Sequence, residues 1–372
     1  MKTFDEIFTD KTKYGVKVQT SEYSKQGKYI IIDQGQSQIA GYTDREEGVF
    51  EELPVIVFGD HTRTIKYVDK PFFLGADGVK VLRSNDSNAN YKYLYYALKS
   101  AKIPDTGYNR HFKWLKKIQI NYPDNNRQEE IVQILDKVSD VIKNRETELS
   151  ALDELIKARF IEMFGDPISN PFGWKMKKLV NVSVLITNGN TPKGGSENYV
   201  NEGIMFLRSQ NVWRNRIDLD DVVYIDKDMH ATMAKSSVHD KDILITKTGR
   251  INTENSSLGR ASLFRGADNS ANINGHVYLV RLDGTVVPEY IVAILTGEPY
   301  RRYIRKVCVG GIDKRQINLD QVENFPIILP PIELQEQFAI FVEQVDKSKV
   351  AIQKSLEKTQ LLFDSLMQKY FG

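Results

Sequence analysis

Two long stretches of the chain carry apolar residues at every third or fourth position. The first runs from Arg127 to Met163, without proline or glycine, and the second runs from about Glu333 to Tyr370. This spacing puts the apolar side chains on one face of an α-helix. About 37 residues at 1.5 Å per residue give ~55 Å for each helix, which is unusual in a globular protein. The pattern predicts two helices packed as an antiparallel coiled coil, with two unrelated core helices as the alternative.

An internal repeat links the two helices. With a constant shift of 207 positions and no gap, residues 116–165 align with residues 323–372. Pro123 then falls on Pro330, and Phe164 falls on Phe371. The rest of the chain matches more loosely, with its elements in the same order. The chain therefore reads as globular part, helix, globular part, helix.

The globular parts contain short apolar or β-branched runs between turn residues, which is the pattern of strands. The strands are predicted at Tyr29–Asp33, Pro54–Phe58, Val79–Leu82, Val222–Ile225, Asp242–Thr246 and His276–Leu282, and short helices at Tyr91–Lys99 and Glu289–Leu295. The fold class expected is α+β, with two α/β domains separated by the two long helices in a pseudo-twofold repeat. The predicted globular domains are residues 1–126 and 166–331, and the predicted helices are residues 127–165 and 332–372.

Composition narrows the class of protein. The 372 residues are 41% hydrophobic and 27% charged, which is ordinary for a globular chain of two to three domains. No apolar run is long enough for a membrane span, and the single Cys308 has no partner for a disulfide within the chain, so a cytoplasmic location is expected. The net charge is only +2, although both globular parts are slightly basic and both helices slightly acidic.

Several loops combine basic, amide and hydroxyl side chains, the groups that hold phosphates and read base edges. Any one of these residues is more often part of a solvated turn than a DNA contact. The interpretation as DNA contacts is collective, because such loops occur in both globular parts on repeat-related elements. The candidate DNA-binding residues are His61, Arg63, Lys66, Arg110, Lys113, Lys193, Arg208, Gln210, Asn211, Arg214, Lys247, Thr248, Arg250, Lys314 and Arg315.

Motifs for catalysis are missing from the sequence. The only Pro-Pro pair, Pro330-Pro331, lacks the polar and aromatic neighbours of an amino-methyltransferase loop. No Asp or Glu is followed two places later by Lys, as a restriction-type nuclease centre usually requires. A phosphate-binding Gly-Lys-Ser/Thr loop and a Cys/His zinc cluster are also lacking. We therefore assign no catalytic, cofactor-binding or metal-binding residue.

The sequence resembles the specificity subunits of type I restriction–modification enzymes. The resemblance covers the whole chain and rests on its alternating order and on specific phrases. These are Phe325–Pro331 before the second helix, the junction Met163–Pro167 followed by Pro171–Trp174, and the run Asp242–Gly249. The first globular part departs from the pattern, because Val57–His61 lacks the Thr-Lys-Thr-Gly of the second.

The resemblance implies separate roles for the globular parts, the helices and the partner subunits. Each globular part would be a target recognition domain that reads one half of a bipartite site in double-stranded DNA. The paired helices would set the gap between the half-sites and dock two modification subunits, which methylate adenine N6. Restriction subunits would complete the assembly. S-adenosylmethionine, ATP and magnesium are expected on those partners, with no cofactor on this chain.

Two other classes of protein are alternatives to this interpretation. A self-contained restriction enzyme or methyltransferase of unusual design would need a nuclease or cofactor motif. A DNA-binding regulator would be expected to show a helix-turn-helix pattern, and two dissimilar globular parts on one chain are uncommon in regulators that read palindromes. The sequence contains neither a nuclease or cofactor motif nor an evident helix-turn-helix pattern.

Overall fold

The computed structural model describes residues 1–75, 77–192, 194–253 and 255–372. They divide into two units. The first contains Met1–Thr147 and Gln353–Gly372, and the second contains Glu148–Ile352. Each unit therefore combines one globular part with one end of each long helix.

The first unit is built from short strands because its sequence alternates apolar runs with turns. Its elements are β1 (Lys2–Thr3), α1 (Phe4–Ile7), β2 (Phe8–Asp10), β3 (Tyr29–Ile32), β4 (Gly41–Thr43), β5 (Val55–Gly59), β6 (Ile65–Val68), β7 (Phe72–Leu74), β8 (Val79–Ser84), α2 (Tyr91–Lys99), α3 (Phe112–Leu115), β9 (Gln119–Ile120) and the start of α4 (Asn125–Phe164). Strands β2, β8, β5 and β6 form an antiparallel sheet in that order. All five residues of β5 are buried, which explains its unbroken apolar sequence.

The second unit follows the same plan with larger insertions. Its elements are β10 (Lys175–Lys178), β11 (Ser183–Asn188), β12 (Ile204–Leu207), β13 (Val212–Trp213), β14 (Arg216–Ile217), β15 (Val223–Ile225), α5 (Lys227–Thr232), β16 (Ser237–Val238), β17 (Ile243–Thr246), β18 (Thr248–Arg250), β19 (Ala261–Leu263), β20 (Ala271–Ile273), β21 (Val277–Leu282), α6 (Pro288–Thr296), α7 (Glu298–Val307), β22 (Val309–Gly310), β23 (Lys314–Gln316), α8 (Leu319–Glu323), β24 (Pro326–Leu329) and the start of α9 (Ile332–Phe371).

The two units share their sheet topology. In the second unit β11, β21, β17 and β19 form an antiparallel sheet whose order matches β2, β8, β5 and β6. A second sheet in each unit joins an antiparallel pair to a parallel one: β3 lies between β4 and β7, as β12 lies between β15 and β20. The looser similarity of the globular parts in sequence is therefore a true repeat of the fold.

The long helices pack against each other in opposite directions within each unit, as predicted. In the first unit Ile131 and Leu135, near the start of α4, share a core with Phe363 and Met367 near the end of α9. In the second unit the end of α4 packs on the start of α9, where the rings of Phe160 and Phe338 lie 5.6 Å apart. Each helix runs for 40 residues, slightly longer than predicted.

Side-chain contacts repeat with the same shift of 207 positions. The buried Gln128 donates from Nε2 to the carbonyl of Pro123 at 2.8 Å, and Gln335 donates to Pro330 at 2.9 Å. Such bonds satisfy backbone carbonyls that precede a helix and cannot reach water. The repeat in sequence thus preserves the junction between each globular part and the helix that follows it.

Aromatic contacts repeat at the far ends of the helices. The ring of Phe164, at the end of α4, lies 4.9 Å from Tyr290, and that of Phe371, at the end of α9, lies 5.2 Å from Tyr93. Each tyrosine hydroxyl donates to a backbone carbonyl, Tyr290 to Ile328 at 2.9 Å and Tyr93 to Asn121 at 2.7 Å. These two tyrosines are equivalent in the repeat, so both units hold their helix ends in the same way.

We expect Gln335→Leu to lower the free energy of unfolding by about 2 kcal/mol, because it leaves the Pro330 carbonyl and the Val287 N–H without their partner. The change is measured by urea unfolding monitored by circular dichroism. The control is Gln337→Leu, an exposed position on the same turn of α9, which should change stability by less than ~0.5 kcal/mol. Equal effects of the two substitutions would contradict the assigned role.

Candidate nucleic-acid interface

Two basic segments that are far apart in sequence lie side by side in the second unit. Strand β18 pairs antiparallel with β23, so that Arg250 lies opposite Lys314 and Gly249 opposite Arg315. Strand β23 also pairs with β22, completing a three-stranded sheet. The structure thus brings together Thr248, Arg250, Lys314 and Arg315, which the sequence offered as separate candidates.

The Thr-Lys-Thr-Gly phrase positions this sheet. The hydroxyl of Thr246 donates to the carbonyl of Ser257 and accepts from the N–H of Arg260 at 2.9 Å, which closes the loop between β18 and β19. A side chain at Gly249 would collide with the backbone nitrogen of Leu258. Only glycine allows that close approach, so the phrase is required by the geometry of the loop.

The charged groups of this sheet differ in accessibility. Arg250 and Lys314 are exposed, and the Nε of Arg250 lies 3.2 Å from an oxygen of Asp313. Arg315 donates from Nε to the carbonyl of Gly311 at 3.1 Å. Lys247 is half-buried, with its ammonium 5.8 Å from the centre of the Tyr278 ring. Arg250 and Lys314 are therefore the cations best placed to meet an anion.

A second concentration of positive charge surrounds Arg214. The guanidinium of Arg260 lies 3.8 Å from the centre of the neighbouring Trp213 ring. Desolvation lowers the pKa of Arg214 below its ordinary value, and the charges of Arg301 and Arg260 lower it further. The charge of Glu298 acts in the opposite direction. Arg214 is exposed whereas Arg260 is buried, so Arg214 is the one of these two cations that can meet an anion.

The loop that contains Arg208, Gln210 and Asn211 is held by its own side chains. Asn211 is buried, donates to the carbonyl of Asp218 at 2.9 Å, and accepts from the N–H of Arg208 at 2.9 Å. Arg208 and Gln210 both contact the carboxylate of Asp221, at 3.0 and 2.8 Å. Their polar groups stabilise a turn, which explains the residue types without any contact to DNA.

In the first unit, the loop after β5 and the loop before α3 lie together. The ring of His61 stacks on Tyr108 at 4.7 Å and 10°, and Arg63 pairs with Asp105 at 2.7 Å. The buried His111 fixes the second loop through Nδ1, 3.0 Å from the carbonyl of Asp60. The predicted residues His61, Arg63, Arg110 and Lys113 thus belong to one region, and of these Arg110 and Lys113 are exposed.

Lys66 does not present its charge to the surface. It is 2% exposed, and its ammonium donates to the carbonyls of Asp33 and Ser37 at 2.8 and 2.6 Å. Burial lowers the pKa of Lys66, and the charge of Asp33 opposes that effect. As a correction to its proposed role, Lys66 holds a loop of the first unit, since a buried ammonium cannot reach a phosphate.

The remaining observations concern Lys193, metal ligands and membrane spans. The predicted residue Lys193 lies outside the described residues. Within residues 1–75, 77–192, 194–253 and 255–372, no group of three or more His, Cys, Asp or Glu side chains could hold a metal ion. No helix in those same ranges is long and apolar enough to cross a membrane.

Two exposed side chains outside the predicted set, Tyr108 and Ile312, lie in the loops described above. The sequence signals them only through the basic residues beside them. Hydrophobic residues are ordinarily assigned to a core, and exposure of a single one cannot be read from its type.

The profile of the type I restriction modification DNA specificity domain matches residues 1–154 and 171–361, which together are most of the chain. The chain belongs to this family. Its two matched segments correspond to the two repeats found in the sequence and in the fold.

Several relatives are specificity subunits by name. The chain is 32% identical over 152 residues to the EcoR124I/EcoR124II specificity subunit of Escherichia coli, covering 37% of each protein. It is 22% identical over 308 residues to the MjaIX specificity subunit of Methanocaldococcus jannaschii, covering 75% of this chain and 67% of that protein. The matches span only 37% and 46% of the E. coli protein and of a second M. jannaschii relative, the MjaX subunit.

Solved structures of specificity subunits have the same fold. The S subunit from M. genitalium superposes with a TM-score of 0.59 at 17% identity, covering 100% of this chain and 95% of that one. A chain from a structure of the type I R-M system gives 0.51 at 16% identity, covering 98% and 94%. The chain therefore has the fold of these solved structures.

We expect Lys66→Met to lower the free energy of unfolding by about 1–3 kcal/mol, because it removes the hydrogen bonds that the buried Lys66 ammonium donates to the carbonyls of Asp33 and Ser37. Thermal or urea unfolding measures the change. Lys70→Met, an exposed position nearby, serves as the control of equal charge. A loss of stability confined to Lys66→Met would agree with a structural lysine, and unchanged stability would contradict it.

Proposed function

We propose that this chain is the DNA-reading subunit of a type I restriction–modification complex. Each globular part would read one half of a bipartite site in double-stranded DNA. The observation that carries the proposal is the family match to both repeats, together with the exposed cations of β18 and β23 in the second repeat. Neither a self-contained enzyme nor a DNA-binding regulator has comparable support.

The second unit offers two kinds of DNA contact. Arg250 and Lys314 are exposed and adjacent, so they can bind phosphates or the O6 and N7 atoms of guanine. Asp313 holds the Arg250 side chain in the free protein, and DNA would have to displace that ion pair. An exposed pair of this kind contributes little to stability, which makes the exchange feasible.

The first unit would contact DNA through Arg110 and Lys113, with His61 and Arg63 beside them. Arg63 is paired with Asp105, so it stabilises the loop and its charge is partly neutralised. Arg110 therefore contributes more to the positive charge of the loop. The two units present different side chains on equivalent elements. That difference suits two half-sites of different sequence.

The long helices would dock two modification subunits, and restriction subunits would join through them. Leu155 on α4 and Leu362 on α9 are equivalent in the repeat and are 46% and 51% exposed. A leucine kept on the surface at both equivalent positions favours two similar docking sites. Adenine methylation with S-adenosylmethionine, and cleavage with ATP and magnesium, would be carried out by those subunits in the cytoplasm.

We expect Arg250→Ala to weaken binding to the cognate duplex by about tenfold and to reduce the slope of log Kd against log salt by about one if the contact is a phosphate. The duplex is chosen from the motif found by methylome sequencing of cells that express the complex. Kd is measured by fluorescence anisotropy at two salt concentrations. Lys314→Ala should behave similarly.

The control for this experiment is Lys175→Ala, which removes the same charge from an exposed position on β10. It should leave Kd within about twofold, by the small energy of an isolated surface charge. Unchanged affinity of both Arg250→Ala and Lys314→Ala would exclude this sheet as a DNA contact.

We expect Leu155→Gln and Leu362→Gln each to reduce the number of modification subunits bound, and the double substitution to reduce it further. Glutamine keeps the helix propensity while removing the apolar contact. Native mass spectrometry with the cognate modification subunit counts the copies. Leu219→Gln, an exposed leucine in the second globular part, is the control. Full assembly of the double variant would show that these leucines are not docking residues.

A further inference from the structure

Among the described residues, the two most exposed large apolar side chains are Ile312 at 90% and Tyr108 at 87%. A single exposed apolar residue is common and needs no explanation. Here the two lie in matching loops, three positions apart. The shift of 207 positions that relates the repeats brings α3 onto the start of α8, and brings the loop before α3 onto residues 308–317. Tyr108 then falls on Arg315, three positions after Ile312, so the two residues lie in matching loops of the two repeats.

Ile312 is presented by a hairpin tip that is fixed by hydrogen bonds. The tip joins β22 to β23, and Gly310 adopts a φ of 125° that suits glycine alone. Arg315 donates to the carbonyl of Gly311 at 3.1 Å, and the N–H of Ile251 donates to the carbonyl of Asp313 at 3.1 Å. The apolar side chain is thus held outwards by a defined turn that is tied to β18.

Tyr108 is held in a comparable way. Its ring stacks on His61 at 4.7 Å, and Gly107 donates to the carboxylate of Asp105 at 3.0 Å. Gly107 has a φ of 72°, which again suits glycine. The loop therefore fixes the aromatic ring while most of its surface stays exposed.

The charges beside both residues favour a polyanion over a protein surface. Residues 298–316 contain six Lys or Arg and two acidic residues. Arg110 and Lys113 follow Tyr108 with no acidic residue between them. Apolar side chains surrounded by cations are the arrangement with which DNA-binding proteins separate stacked base pairs.

We propose that Ile312 and Tyr108 are wedge residues, each inserted between adjacent base pairs of one half-site. Insertion would unstack that step and kink the duplex, while neighbouring cations such as Lys314 and Arg110 hold the phosphates on either side. The inference rests on the proposed DNA binding and adds the way in which the bases are contacted. It also assigns part of the sequence preference to the ease of unstacking a step.

The test uses the full complex with its modification subunits and the cognate duplex, in which 2-aminopurine replaces one adenine at a time. Fluorescence of this base rises when it is unstacked. The wild-type complex should raise the fluorescence at one step in each half-site. Ile312→Ser should abolish the rise in one half-site and Tyr108→Ala in the other, and each should weaken binding by about tenfold. Ile312→Leu and Tyr108→Phe should retain the signal.

The control is Val184→Ser, an exposed apolar position on β11 of the second unit, which should change neither signal nor affinity. Circular dichroism and thermal unfolding confirm that each variant is folded. If the wild-type complex fails to bind the duplex, the proposed function itself is wrong. If it binds without any rise in fluorescence at positions free of methyl transfer, or if Ile312→Ser impairs subunit assembly and leaves the DNA signal intact, the wedge proposal is overturned.

Discussion

A helix of 40 residues with an apolar stripe along its length has more hydrophobic surface than one small domain can cover. In this chain each long helix divides that surface between two units. The start of α4 lies in the core of the first unit and its end in the core of the second, and α9 does the reverse. Burial of the two stripes therefore requires the helices to run antiparallel. The sheets and loops of each unit pack around one end of each helix.

The repeated contacts at the helix ends show which parts of the fold are fixed. Glutamine and tyrosine side chains donate equivalent hydrogen bonds in both units, at Gln128 and Gln335 and at Tyr93 and Tyr290. Phenylalanine rings contact the two tyrosines in the same way. The loops between the strands differ in length and in charge from one unit to the other. A constant frame with variable loops is what a protein needs if its two halves recognise different sequences on a common partner.

The sequence allowed the frame to be predicted but only part of the candidate interface. The helices follow from the periodicity of apolar residues, which directly reflects burial, and the repeat follows from the constant shift of 207 positions. Residue type is a weaker guide to the role of a polar side chain. Lys66 and Asn211 are residue types that often contact DNA, yet both are buried and hydrogen-bonded within their own unit. The pairing of Arg250 with Lys314 could not be predicted, because it depends on a long-range strand register. Tyr108 and Ile312 were missed because exposure of an apolar residue depends on the turn that carries it.

The division of the chain also affects the order in which the protein is completed during synthesis. The second unit is formed by one continuous segment, Glu148–Ile352, whereas the first requires Gln353–Gly372 as well as Met1–Thr147. Phe363 and Met367 fill part of the core around Leu135, and Phe371 covers Tyr93. A nascent chain on the ribosome would hold its first globular part with an uncovered apolar surface until residues 353–372 emerge. The first unit, although most of it is translated before the second, therefore finishes folding after the second.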